Sequence, residues 1–163
     1  MSSRPLGRAK MSADKWNFYN VALHPVRICD IVWCRFPEDL MHPKPGPKTR
    51  PGLVRAVRRK KDDRQIWISV TYGTSKLKTE TRPLDLFVMN AEDMVTAGLP
   101  QATRFDLDAC VNLPWASEFF EIRNMYKTPV VGRLADRSRA RLVRLLDLRL
   151  QHQVASTLDD DDY

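Results

Sequence analysis

Residues 70 to 76 read VTYGTSK and set two hydroxyls and an ammonium beside a glycine. Thr74 and Ser75 carry O–H donors, Lys76 carries a positive charge, and Gly73 frees the backbone N–H groups that follow it. That combination suits a phosphate, held by hydroxyls and by an anion-binding nest of main-chain donors. It equally suits a β-turn in which Thr and Ser satisfy neighbouring backbone groups. Ahead of it, Ile66, Ile68, Val70 and Tyr72 alternate with Trp67, Ser69 and Thr71, the period of a half-buried strand. Gly73 breaks that alternation.

Arg50 is the strongest candidate to share such a phosphate. Its guanidinium is permanently charged and offers a planar fork to phosphate oxygens. Pro51 fixes the backbone beside it. The alternative is a surface arginine at the start of a strand.

The whole chain agrees with a polyanionic partner without requiring one. It has 163 residues, with 27 Lys and Arg against 20 Asp and Glu, for a net charge of +7. Part of the acidic count sits in the terminal run DDDDY, so the body is more basic still. Cys29, Cys34 and Cys110 form no CxxC pair, and His24, His42 and His152 are scattered, so neither a metal nor a cofactor is expected. No apolar run approaches the roughly 20 residues of a membrane helix. The basic opening MSSRPLGRAK has no apolar segment after it, unlike a secretory signal. A cytoplasmic protein with no membrane association is the expectation.

The length suits one domain. Residues 1–25 read as an extension, partly disordered or helical, with SADKWNFYNVAL as a short helix capped by Ser12. RICDIVWCRF (27–36) is a strand apolar on both faces, hence central. The proline-rich loop PEDLMHPKPGPKT follows. RPGLVRAVRR (50–59) and QIWISVTY form a meander around a charged tip, KKDDR. PLDLFVM (83–89) is another strand, and NAEDMVTAGL is a short helix with Asn90 as cap and Gly98 as stop. TRFDLDACVNLPW is strand material ending at Pro114, with SEFFEI a further short strand. Leu142, Leu145, Leu146 and Leu150 repeat at helical spacing after Gly132. The barrel domain therefore spans 26–151, and 152–163 is an acidic, disordered tail. The fold class is mainly β with helices (α+β): a small barrel, a short helix and a long C-terminal helix.

Taken in order, DIVWCRFPEDL, KTRPGLVRAV, ISVTYGTSK and VVGRLADRSRARLVRLL resemble the MazF/PemK/Kid family of toxin endoribonucleases over about residues 27 to 150. The resemblance implies an SH3-like barrel, a homodimer, and inhibition by a cognate antitoxin. It implies cleavage of single-stranded RNA without metal, using the substrate's 2′-hydroxyl as nucleophile. It implies that Arg50 and Thr74 belong to the active site. TRFD resembles the Arg-x-Asp signature of the Kid/PemK branch, which implies Asp106 as acceptor of the 2′-proton and Arg104 as acid or charge stabiliser. A structural ion pair is the alternative for these two. His42 stands roughly where that branch carries a loop histidine, and Lys48, Ser75 and Lys76 are candidate RNA contacts. Cys29 stands where the family has glycine, and the His42 loop departs from the family's GSEQ-like sequence.

Two other functions remain open on these residues. One is an inactive relative that uses the barrel to bind nucleic acid or assemble with proteins. The other is binding of DNA gyrase, as in toxins that share this barrel.

Overall fold

The computed structural model describes residues 16–59, 65–77, 84–123 and 125–160, with the backbone alone for 157–160. Ser12, the tip KKDDR and the end of the acidic tail lie outside the described residues.

Among the described residues six strands and two helices follow one another: β1 (Asp30–Cys34), β2 (Arg50–Arg59), β3 (Ile66–Thr74), β4 (Leu86–Val88), α1 (Ala91–Ala97), β5 (Thr103–Pro114), β6 (Val130–Arg133) and α2 (Asp136–Asp160). The strands form one curled, antiparallel half-barrel in the order β4-β5-β3-β2-β1-β6. The mixed class and the long C-terminal helix match the expectation; the short helix sits between β4 and β5.

Both faces of the sheet carry a core, as the doubly apolar RICDIVWCRF requires. Val32 and Cys34 of β1 join Val54, Ile68, Val70, Leu113, Trp115, Phe119 and Phe120 on one face. Ile31 and Leu53 join Leu86, Phe105, Leu107 and Leu142 on the other. Alternation sends successive β1 side chains into different cores, so β1 is buried along nearly its whole length.

The extension is not helical at 16–20. Trp16 stacks edge-on against Phe119, with ring centroids 5.0 Å apart, and Phe18 makes a β-bridge to Ala116. The Tyr19 N–H donates to the Trp115 carbonyl at 2.9 Å, and its hydroxyl donates to the Phe120 carbonyl at 2.6 Å. Covering the first core with aromatic rings gains more than one helical turn would, because isolated short helices are marginal. SEFFEI likewise contributes only a single bridge, Cys34 to Phe120.

Helix α1 ends as expected. Asn90 accepts the Glu92 N–H through its side chain, and Gly98 is left-handed at φ 66°. A Cβ on Gly98 would meet the Val131 carbonyl oxygen at 2.3 Å, so the glycine also admits β6. Arg137 of α2 holds Asp93 of α1 through Nε at 2.8 and 3.0 Å. Helix α2 runs on to Asp160, through much of the expected tail. No helix among the described residues is long and apolar enough to cross a membrane.

Burial pushes the Tyr19 phenol up to about 12, with Glu118 and Glu121 adding to the shift. The folded pKa exceeds the ordinary 10.0, so the stabilisation is complete below pH 10 and is lost as pH rises toward 12. Tyr19→Phe should therefore cost about 1 kcal/mol near neutral pH through the lost hydrogen bond. Urea melts of both proteins should show this difference shrinking above pH 10; a constant difference would mean that the phenol does not titrate in this range.

Candidate functional site

Arg50 opens β2, Thr74 closes β3, and the register of the sheet brings them together. Cys34 of β1 pairs with Arg50. Gly52 of β2 pairs with Tyr72 of β3. Continuing that antiparallel register two residues outward sets Arg50 across from Thr74. On the other side of β3, Thr74 pairs with Arg104 of β5. Three strands thus deliver Arg50, Thr74 and Arg104 to one level of the sheet.

Gly73 makes this level possible. Strand β3 does not stop at the glycine but runs through it to Thr74. A Cβ there would lie 2.8 Å from the Pro51 carbonyl oxygen and 2.9 Å from the Phe105 ring. Real side chains do not tolerate such contacts, so only glycine lets β3 lie this close to the Arg50–Pro51 strand end.

A cavity of about 120 Å³ opens at this point, lined by Trp33, Thr49, Arg50, Pro51, Gly73, Thr74 and Ser75, with Pro100, Gln101 and Thr103 on its far side. Thr74 is 4% exposed. Its Oγ1 accepts the Lys76 N–H at 3.2 Å. The turn role is therefore real, and it does not consume the hydroxyl's own proton, which remains able to donate. Ser75 is exposed beside it.

Arg50 also faces a second space. Its guanidinium carbon lies 5.7 Å from the Tyr72 ring centroid. Tyr72, Phe36 and Lys48 line a groove of about 540 Å³ that shares Arg50 with the small cavity. Arg50 is thus the wall between the two.

Arg104 reaches this region but is committed to the protein. Its Nη1 donates to Asp85 Oδ2 at 2.7 Å and its Nε to the Lys76 carbonyl at 3.0 Å. Asp85 also accepts the Leu107 N–H. The structural ion pair foreseen as an alternative for Arg104 exists, but its partner is Asp85, not Asp106. Asp106 Oδ1 accepts the Asp108 N–H at 3.0 Å within β5. Nothing in PLDLFVM marked Asp85, because only the β4–β5 pairing brings it to Arg104.

His42 is not brought to the Arg50–Thr74 cavity. Its side chain is 81% exposed and its Nδ1 lies 3.3 Å from Asp39. It lines a separate open depression with Glu38, Asp39 and Lys44. The Asp39 carboxyl is held below its ordinary value by the Met41 N–H and by His42.

Arg123 is a further residue of this region. Its guanidinium carbon lies 3.9 Å from the Trp33 ring centroid, and its Nη2 donates to Thr49 at 3.1 Å. Trp33 and Thr49 both line the small cavity, so Arg123 braces that wall. An arginine in an irregular stretch gives no signal from spacing alone.

Asp30 is structural. Its Oδ2 accepts the Arg27 N–H at 2.8 Å, closing the turn that starts β1. Burial raises its pKa, while the Arg27 N–H and Arg133 oppose the shift. Cys29 before it has φ 72°, a left-handed backbone that favours glycine. Among the described residues no three His, Cys, Asp or Glu side chains gather as a ligand set would. The fold and site define a half-barrel protein with a cationic, hydroxyl-lined cavity at its strand ends. No protein-family model matches the chain, and no curated protein matches it.

The Arg104–Asp85 pair is nearly dry, with side chains 14% and 1% exposed. Asp85→Ala should cost about 3–5 kcal/mol, because it leaves a charge without its partner. It also removes the acceptor of the Leu107 N–H. Urea denaturation would check this; a loss below about 1 kcal/mol, a surface-pair value, would mean that Arg104 swings to solvent and is free for substrate.

Proposed function

We propose that this protein is an endoribonuclease of the MazF/PemK/Kid type that cleaves single-stranded RNA. The observation that carries this reading is the shared cavity of Arg50 and Thr74, the two residues that the family resemblance puts in the active site. The curled half-barrel supports the SH3-like fold of that family. The left-handed Cys29, at the position of the family's glycine, supports it further.

In this reading the scissile phosphate enters between Arg50 and Thr74. The substrate's 2′-hydroxyl gives its proton to solvent water as its oxygen attacks phosphorus, forming a 2′,3′-cyclic phosphate and breaking the bond to the 5′-oxygen, which takes a proton from water as it leaves. Arg50 binds the nonbridging oxygens with charge-assisted hydrogen bonds. The Thr74 hydroxyl, oriented by the Lys76 N–H, and Ser75 add donors as negative charge grows on those oxygens. Arg104, fixed by Asp85, contributes positive potential rather than a proton. A cognate antitoxin and a second copy of the chain are the partners this reading brings, and the cell interior is where it acts.

A second reading is a nucleic-acid-binding module without cleavage. It is favoured by the cavity lining, in which no His, Asp, Glu or Lys stands among the described residues. One experiment separates the two. The full chain is incubated with a long single-stranded RNA in EDTA, and new ends are mapped. The nuclease reading expects discrete cuts ending in cyclic phosphate; RNA bound but uncut supports the binding module.

Arg50→Ala should reduce cleavage at least a hundredfold while the protein keeps its melting temperature, since one oxyanion donor is worth about 10²–10³ in rate. Full activity in the folded variant would remove Arg50 from the site. Thr74→Val should lose cleavage and about 1 kcal/mol of stability, because the Lys76 N–H loses its acceptor. Thr74→Ser should restore both. A valine variant that loses stability alone would leave Thr74 with only its turn role.

A further inference from the structure

The geometry points to a base-binding subsite: the groove beside Arg50 takes the unstacked base of a single-stranded ribonucleotide, next to the phosphate held at Thr74. This inference rests on the nucleic-acid reading above, and it does not require cleavage.

The groove exists because of a bulge. Along β3 the step from Thr71 to Gly73 spans two residues, whereas the matching step on β5, from Cys110 to Phe105, spans five. Residues 106–109 of β5 leave the ladder with β3, and Asp108 and Ala109 stand exposed as a wall of the groove together with Cys110, which still pairs with Thr71. Bulges of this kind re-aim strands beside functional sites. Asp108 is held by an ion pair to Arg149 of α2, which fixes this wall to the helix.

The opposite wall is aromatic. Phe36, just beyond β1, and Tyr72 of β3 meet edge to face, with centroids 5.4 Å apart at 81°. Both rings are only partly buried and both line the groove. Leu40 and Pro37 extend the apolar surface, Lys48 and Arg50 supply two cations, and Glu38 adds one carboxylate to the lining besides Asp108, which Arg149 neutralises.

Aromatic rings beside cations are what single-stranded nucleic acid selects, because every base has a π-face and every link a charge. An apolar peptide would use the rings and leave both cations unmatched. The volume of about 540 Å³ exceeds what a base alone needs and leaves room for its sugar. Arg50 links the two spaces, so the base and its neighbouring phosphate would sit on either side of one guanidinium.

The test compares two strands of equal length, neither with a 2′-hydroxyl to attack. One is a single-stranded 2′-fluoro RNA, and the other is an abasic strand that keeps the phosphates. Affinity is read by fluorescence anisotropy for the wild type and for Ala109→Trp, which fills the groove from an exposed position. Melting temperatures verify folding. The wild type should prefer the base-bearing strand by about tenfold or more. Ala109→Trp should lose that preference while holding the abasic strand as before. Equal affinity for both strands in the wild type, or no binding of either, overturns the proposal. A folded Ala109→Trp that keeps the preference places the base elsewhere and overturns the proposal too; should the variant fail to fold, equal wild-type affinities still overturn it. Cleavage in EDTA without base preference would sink the subsite and spare the nuclease. Base preference without cleavage would do the reverse.

Discussion

The close approach of β3 to Pro51 at Gly73 is the contact on which the rest of the site depends. With no Cβ, Gly73 lies where any side chain would collide with the Pro51 carbonyl and the Phe105 ring. Strand β3 can then continue to Thr74 in register with both neighbours. Arg50, Thr74 and Arg104 reach a common level for that reason. A larger residue would push the strand end outward, and the cavity between Arg50 and Thr74 would open into a surface slope.

Around that contact the sheet resolves a conflict between two cores. Strands β1 and β2 send alternate side chains to both faces, so neither strand can slide by one residue without exchanging its buried sets. Register is thereby fixed where the site needs it. The mismatch is absorbed by β5, whose bulge next to Gly73 opens the groove. From outside, Trp16, Tyr19 and Val21 pack against the first core, and Val26 joins it.

The arginines divide between structure and site. Arg104 is held by Asp85, Arg137 by Asp93, Arg35 by Glu121 and Arg149 by Asp108. Arg141 donates to the Phe87 carbonyl. Two exposed arginines of α2 nonetheless hold neighbouring elements: Arg137 ties the helix to α1 and Arg141 ties it to β4. Arg50 and Arg123 differ in kind, because each lies against an aromatic face, Tyr72 and Trp33, rather than a carboxylate.

Local chemistry explains what the sequence determined by itself. The Asn90 cap and Gly98 stop of α1 are legible because each acts within its own helix end. The bounds of β2 follow from the loop prolines before it and the charges after it. The doubly apolar pattern of β1 announced a central strand. Arg50 and Thr74 stood out because their chemistry and their neighbours, Pro51 and Gly73, are contiguous. What tertiary structure alone decided involves residues far apart in the chain. Asp85 as the partner of Arg104, Arg123 on Trp33, and the bulge that makes the groove all arise from pairings between strands. The extended path of residues 16–20 is of the same kind, since local propensity yielded to aromatic burial on Trp115 and Phe119. The role of Gly73 joins the two: the sequence marked it as a break, and only packing against Pro51 made it the point where the strands meet.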